Sequence, residues 1–388
     1  MNFFAPCPRG LELLLADELR ALGATDPKTV PGGVRFAGDW ALCYRANLES
    51  RLATRVLWEV TMARYRGEED IYRAAYAPTW ARWFTPEQTI RVFVTAHKSP
   101  LRSLEFVTLK IKDAVCDHFR TVVGSRPSVD TQTPDIRIHA FLSVDTVTLY
   151  LDTSGDPLYM RGFKQAAVEA PLKENLAAGI LRLTGWKPGQ EALMDPMCGS
   201  GTFLVAALRR ARRAHEGTAD LGRLLLRNVV GFDLNPLAVM AARVNYLIAL
   251  RDLPGLLDGA PLRIPVYLCD SILAPSGGSG QPCAPSWAEL GPLFERAAQP
   301  PTLPPFDFVA GNPPWVVWDH LPAAYRAATR PLWEHYGLFT LSGKDARHGG
   351  GKKDLAALML YASADAYLKL GGRLGFVITQ TLFQTRGA

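Results

Sequence analysis

No stretch of this chain approaches the ~18 consecutive apolar residues that a membrane-spanning helix requires. The opening residues, Met1 to Gly10, lack the charged segment and long apolar core of a secretory signal. The cysteines (Cys7, Cys43, Cys116, Cys198, Cys269 and Cys283) never form a C-x-x-C pair. A zinc cluster and a disulfide framework are therefore not expected, no metal site is predicted, and a reducing cytoplasm fits. Two phosphate-binding fingerprints are also missing. Leu204 stands where the last glycine of G-x-G-x-x-G belongs, and the interval from Gly337 to Gly343–Lys344 is one residue too long for a P-loop and runs into Asp345. No internal repeat is present.

Strong charge is lacking too. Lysine and arginine total 43 against 37 acidic residues, a net charge of +6. Residues 1–170 hold 21 basic and 20 acidic side chains, so most of the excess lies in the second half. This weak bias is compatible with a nucleic-acid partner without pointing to one. What is present is an ordinary globular composition, 48% hydrophobic and 21% charged, in 388 residues. That length buries large cores without staples and suggests two or three domains.

The first half reads as mixed α+β. Leu11, Leu14, Leu15, Leu19 and Leu22 share one face of a helix at 9–23 that stops at Gly23, and Val34 and Phe36 alternate in a short strand. Further strands are predicted at 89–95, 135–142 and 145–152, the last two as a hairpin, with a helix at about 103–120. A boundary falls near Gly155–Asp156–Pro157. After a short helix at 170–183 the rhythm changes to strands alternating with helices: 191–195, helix 201–215, 228–233, helix 236–250, 264–269, 306–311, helix 354–369, 373–379. That is the pattern of a parallel α/β sheet. Residues 271–305 read as a flexible loop and 316–352 as an irregular insertion.

Four segments fall at the carboxyl ends of successive predicted strands, where open parallel sheets bind ligands. In Asp195–Pro196–Met197–Cys198–Gly199–Ser200–Gly201–Thr202 the glycines admit a ligand to the backbone, and the following helix offers free N–H groups. Asp233 can take both hydroxyls of a ribose, or cap the next helix. Asp270 can accept from an adenine amino group, or close a turn. In Asn312–Pro313–Pro314–Trp315 the prolines fix an extended backbone. The Asn312 side-chain oxygen and the Pro313 carbonyl can then accept from one NH2 group, while Trp315 offers a flat face to a base, or is a core residue.

In order and place these segments resemble the class I S-adenosylmethionine (AdoMet)-dependent methyltransferases that methylate amines. The resemblance implies a cofactor, AdoMet, held by Asp195, Cys198, Gly199, Ser200, Gly201, Thr202, Asp233 and Asp270, and an acceptor amine held by Asn312, Pro313, Pro314 and Trp315.

Residues 1–202 are similar to the amino-terminal part of the bacterial large-subunit rRNA guanine-N2 methyltransferases, which join a ferredoxin-like segment to a THUMP RNA-binding domain. The likeness rests on Arg9–Gly10–Leu11–Glu12, Lys110–Ile111–Lys112–Asp113–Ala114, Pro134–Asp135–Ile136–Arg137, Leu151–Asp152–Thr153–Ser154–Gly155, Arg161–Gly162–Phe163 and Ala170–Pro171–Leu172–Lys173–Glu174. It implies RNA contacts through Lys110, Lys112, Arg137 and Arg161. Beyond residue 228, GFDLNPLAVMAARVNYLIAL, GNPPWVVW and GGRLGFVITQTLF are more similar to adenine-N6 DNA methyltransferases, and Trp315 stands where the rRNA enzymes usually carry Tyr.

The expected organisation is a ferredoxin-like/THUMP RNA-binding region at 1–165, then a Rossmann-like methyltransferase domain at 166–388. That domain is read with five strands where the family normally has seven, so its last strands are expected to be missing. The expected function is methylation of an exocyclic base amine of RNA, favouring rRNA guanine-N2. Adenine-N6 methylation of DNA and non-catalytic RNA binding are the alternatives; no membrane partner is expected, and oligomeric state is open.

Overall fold

The computed structural model describes residues 1–161, 172–215, 220–253, 256, 262–274, 303–339 and 354–378. Most of the 271–305 segment, the glycine-rich end of the 316–352 segment, Gly162–Phe163 and Ala170–Pro171 lie outside the described residues. The chain divides into two compact units, Met1–Gly162 and Phe163–Ala388. Among the described residues no helix is long and apolar enough to cross a membrane.

The first unit is built on one seven-stranded sheet. Its strands are β1 (Asn2–Pro6), β2 (Thr25–Val30), β3 (Gly33–Ala37), β4 (Leu57–Arg64), β5 (Ile90–Ala96), β6 (Ile136–Leu142) and β7 (Thr146–Asp152). The order is β2-β3-β1-β4-β7-β6-β5, antiparallel throughout except for the β5–β6 pair. Helices α1 (Glu12–Ala21), α2 (Trp40–Glu49), α3 (Glu68–Tyr76) and α4 (Leu104–Val123) join the strands. Caps set the ends of α2 and α4. Asp39 accepts from Leu42 N at 2.8 Å and Ser103 from Phe106 N at 3.2 Å, while Gly124, at φ 83°, stops α4 in the left-handed conformation. Ile111, Val115 and Phe119 of α4 pack on Ile90, Ile138 and Leu149 of the sheet, all fully buried. The β6–β7 hairpin is closed by Ser143 N donating to the Thr146 carbonyl at 2.8 Å.

The second unit holds a parallel five-stranded sheet of β8 (Leu193–Asp195), β9 (Val229–Asp233), β10 (Val266–Leu268), β11 (Phe306–Gly311) and β12 (Leu368–Phe376). The order is β10-β9-β8-β11-β12. Chain order reverses between β8 and β11, and that reversal opens a crevice at the carboxyl ends of the strands. The helices are α5 (Glu174–Leu183), α6 (Thr202–Ala214), α7 (Leu221–Asn228), α8 (Pro236–Leu250), α9 (Ala323–His335) and α10 (Leu355–Tyr367). Leu204 and Leu208 of α6 and Val239 and Tyr246 of α8 pack with Leu193, Val229 and Phe308 in one core.

Two expectations are corrected. The 316–352 segment is not irregular where it is described, because α9 lies within it. Pro322 leads into that helix, Pro331 sits inside it and Gly337 follows it, which hides the periodicity; buried Trp333 carries the packing. Strand β12 begins at Leu368, directly after α10, not at 373.

Because Phe308 is fully buried in the central part of this sheet, Phe308→Ala is expected to cost about 3–5 kcal/mol. Urea denaturation measures it; a loss below about 1 kcal/mol would contradict this packing.

Candidate active site

All four loops at the carboxyl ends of β8, β9, β10 and β11 meet in one cleft of about 1040 Å³. Asp195 ends β8 with its carboxylate buried and accepts from Met197 N at 3.1 Å, holding the turn that follows. Gly199 and Gly201 both take positive φ, 53° and 86°, which a side chain would resist. A Cβ on Gly201 would also stand 3.3 Å from Ala242, so this glycine lets α6 approach α8. No side chain caps α6, and its first residues, Thr202 and Phe203, line the cleft. The positive end of a helix dipole thus faces the cleft.

Asp233 is not the cap of α8. Asn235 performs that task, accepting from Leu237 N at 2.9 Å and Ala238 N at 3.3 Å. The Asp233 carboxylate instead ties two loops together, accepting from Gly199 N at 2.8 Å through one oxygen and from Asn235 N at 2.8 Å through the other. Asp270 closes a turn by accepting from Ile272 N at 2.8 Å and Leu273 N at 3.1 Å, and it also lines the cleft. Its turn is anchored by the Tyr367 hydroxyl, which donates to the Ser271 carbonyl at 2.8 Å.

Burial pushes the carboxyls of Asp195, Asp233 and Asp270 above the ordinary range. For Asp195 the nearby Asp233 charge adds to the effect. The Cys198 thiol is pushed up by the same burial and by both aspartates, so it is an inert wall of the cleft. Two buried carboxylates, Asp195 and Asp270, and the half-buried Asp233 form an acceptor-rich, electronegative lining suited to a donor-rich cation. That is the character of AdoMet, with its sulfonium, ammonium, ribose hydroxyls and adenine amine, so the residues fit the expected cofactor.

Asn312 is half-buried at the mouth of β11, and among the described residues its carboxamide has no hydrogen-bond partner. Pro313 is buried, Pro314 is exposed, and Trp315 is 56% exposed. Trp315 is therefore a wall of the cleft and not a core residue. Beyond it, Val316 accepts from Leu355 N at 2.8 Å, and Val317 bridges to Asp354. These contacts lay the segment against the start of α10. An aromatic cluster of Trp318, Trp333 and Phe339, with ring centroids 5.0–5.6 Å apart, packs behind it.

Several site residues escaped the sequence reading. Tyr325 of α9 and Leu355 and Met359 of α10 line the cleft. Gly231 and Gly311 are there because a side chain would collide with the site: a Cβ on Gly231 would lie 2.6 Å from Leu204 and 3.1 Å from the Cys198 sulfur. One on Gly311 would run into the Met197 sulfur and stand 3.3 Å from an Asp195 oxygen. Only the glycines themselves signalled this.

Each of the four basic residues expected to meet RNA has a neighbour within the first unit. Lys110 lies over the rings of Tyr72 and Phe106, at 5.8 and 5.7 Å. Lys112 pairs with Asp113, and Arg137 faces Asp156 at 3.5 Å. Arg161 is bound to the backbone, donating to the carbonyls of Leu158, Asn47 and Ser50.

A parallel sheet with this crevice and this lining defines a class I-type methyltransferase fold. Comparison with known families carries the assignment further. Residues 2–57 match an RlmL ferredoxin-like domain, 65–152 a THUMP domain, and 161–249 an RMKL-like methyltransferase domain. The chain thus carries the domains of a THUMP-containing rRNA methyltransferase in their order, and it is an AdoMet-dependent methyltransferase. Solved structures share the fold. A predicted N6-adenine-specific DNA methylase from Listeria monocytogenes str. 4b F2365 is 23% identical, with 87% of this chain and 85% of that chain covered and a TM-score of 0.63. SMU.472, a putative methyltransferase complexed with SAH, is 22% identical, covering 87% and 86%, with a TM-score of 0.55. TrmN from Thermus thermophilus is 21% identical, covering 81% and 79%, with a TM-score of 0.56.

Gly311→Ala is expected to destabilise the fold by about 1–3 kcal/mol through overpacking at Met197, and to weaken AdoMet binding. Thermal melting with and without AdoMet reads both; a variant that melts and responds to AdoMet like the parent would contradict this close approach.

Proposed function

We propose that the chain transfers a methyl group from AdoMet to an exocyclic amine of a base in RNA, with guanine-N2 of rRNA as the target. The observation that carries this reading is the convergence of Asn312 and Trp315 on the same cleft as Asp195, Asp233 and Asp270. Donor and acceptor sites are then one space. The THUMP match at 65–152 supports RNA over DNA, and the ferredoxin-like match at 2–57 supports rRNA. The five described cysteines are buried and unpaired, which supports a reducing cytoplasm as the setting.

AdoMet supplies a methyl group on a sulfonium, a leaving group that needs no further activation. The protein's task is placement. Asp233 holds the ribose and Asp270 the adenine amine. The α6 N-terminus and the 195–202 turn take the amino-acid end. At the other end, the Asn312 side-chain oxygen and the Pro313 carbonyl accept the two N–H bonds of the target amine. Those hydrogen bonds draw the nitrogen lone pair out of conjugation with the ring and aim it. Trp315 stacks on the base once it has left its own stack. Holding two reactants in line contributes up to roughly 7–11 kcal/mol. The methylated nitrogen is cationic and strongly acidic, so its extra proton is lost to water after transfer and a strong general base is not required.

Incubation with tritium-labelled AdoMet and either total RNA or genomic DNA tests the reading. Label is expected in RNA. Asn312→Ala is expected to reduce transfer by at least about 100-fold, as for lost alignment, while AdoMet affinity stays nearly constant. Label in DNA alone, or full transfer by the variant, would overturn the assignment.

A further inference from the structure

Asp270 has one carboxylate oxygen to spare. Its Oδ1 accepts from Ile272 N at 2.8 Å and Leu273 N at 3.1 Å, which fixes the plane of the carboxyl group. Its Oδ2 is buried and, among the described residues, has no hydrogen-bond partner. An acceptor left alone at that depth costs free energy unless a ligand supplies the donor. The oxygen can serve an amine only while it carries no proton. With Oδ1 committed to two N–H groups, a neutral carboxyl would hold its proton on Oδ2 and set an O–H against the amine. Burial favours that neutral form.

Tyr325 opposes it. This residue lies in the first turn of α9, and its ring packs against the cluster that holds Ile272, Leu321, Trp333 and Leu355. Ile272 belongs to the Asp270 turn, so helix and turn share one core. Thr329, fully buried one turn further along α9, donates its hydroxyl to the Tyr325 carbonyl at 2.8 Å. The Tyr325 hydroxyl stands beside the Asp270 carboxyl in the same cleft and favours its ionised form. The far end of α9 carries Trp333, stacked with Phe339 and edge-on to Trp318 behind the acceptor wall. One helix thus reaches both walls of the cleft.

We propose that Tyr325 is a positioning residue for AdoMet: it holds the Asp270 carboxyl as the acceptor that reads the adenine amine, so that the cleft selects adenine over hypoxanthine. The proposal rests on the assignment of Asp270 to that amine. It gives α9 a part in choosing the cofactor as well as in shaping the acceptor wall.

The test is calorimetric titration of the full chain with S-adenosylhomocysteine and with S-inosylhomocysteine, whose base carries a carbonyl oxygen in place of the amine. The parent is expected to bind the adenosyl ligand at least about tenfold more tightly, as for one hydrogen bond to a charged group. Tyr325→Phe keeps the ring in its packing and removes the hydroxyl. Its preference is expected to fall to about threefold or less, through weaker binding of the adenosyl ligand. Asp270→Asn is expected to abolish or reverse the preference, because its one oxygen is needed by Ile272 N and Leu273 N and its NH2 group then faces the base. A tyrosine that only packs would leave the preference at the parental value in Tyr325→Phe. That result, with the preference lost in Asp270→Asn, overturns the role of Tyr325 and leaves the assignment of Asp270 standing. A parent without preference overturns both. A Tyr325-dependent preference in a chain that transfers no methyl group to RNA removes the acceptor reading and leaves Tyr325 in its role.

Discussion

The withdrawal of three carboxylates from water, two of them buried and one half-buried, at the carboxyl ends of parallel strands is the constraint on which the second unit depends. Asp195, Asp233 and Asp270 each sit where a strand gives way to a loop, and each spends part of its hydrogen-bonding capacity on backbone N–H groups. Those bonds shape the loops, but they do not match the desolvation of the charge, so all three carboxyls are raised. Such groups lower stability as the pH rises, because the folded state holds protons that the unfolded state releases. A fold keeps such a cost where ligand binding offsets it.

The rest of the site follows from letting backbone and ligand come close to those groups. Gly231 and Gly311 have no side chain because Cys198, Met197 and Asp195 occupy the space one would need. Gly201 has none because α8 passes against it. The prolines of the 312–315 segment stiffen the opposite wall, and the pairing of Val316 and Val317 with the start of α10 fixes where Trp315 stands. Two walls of different chemistry result: one electronegative and acceptor-rich, the other aromatic with a free carboxamide.

Much of this was legible in the sequence because the second unit repeats a local rhythm. Strand β11 and helix α8 fall at their predicted residues, and the four loops could be placed from that rhythm alone. What was not legible is non-local. The joining of β4 to β1 and β7 makes one sheet of the ferredoxin-like and THUMP parts, and it depends on pairings up to some hundred residues apart. The engagement of Arg161 with the Asn47 and Ser50 carbonyls, and the stacking of Phe93 on His139, are of the same kind. Helix α9 was missed for a local reason, its prolines, yet it delivers Tyr325 to the cleft.

The electronegative wall makes the most direct claim. A cation entering the cleft favours the ionised forms of Asp195, Asp233 and Asp270, so their raised pKa values fall and protons leave as it binds. Affinity should then rise with pH through the window between the free and bound values. Calorimetric titration of the full chain with AdoMet, repeated in buffers of different ionisation enthalpy, reads this proton balance. The account predicts saturable binding with net proton release and weaker affinity in acid. No detectable binding, or binding with proton uptake, would contradict it.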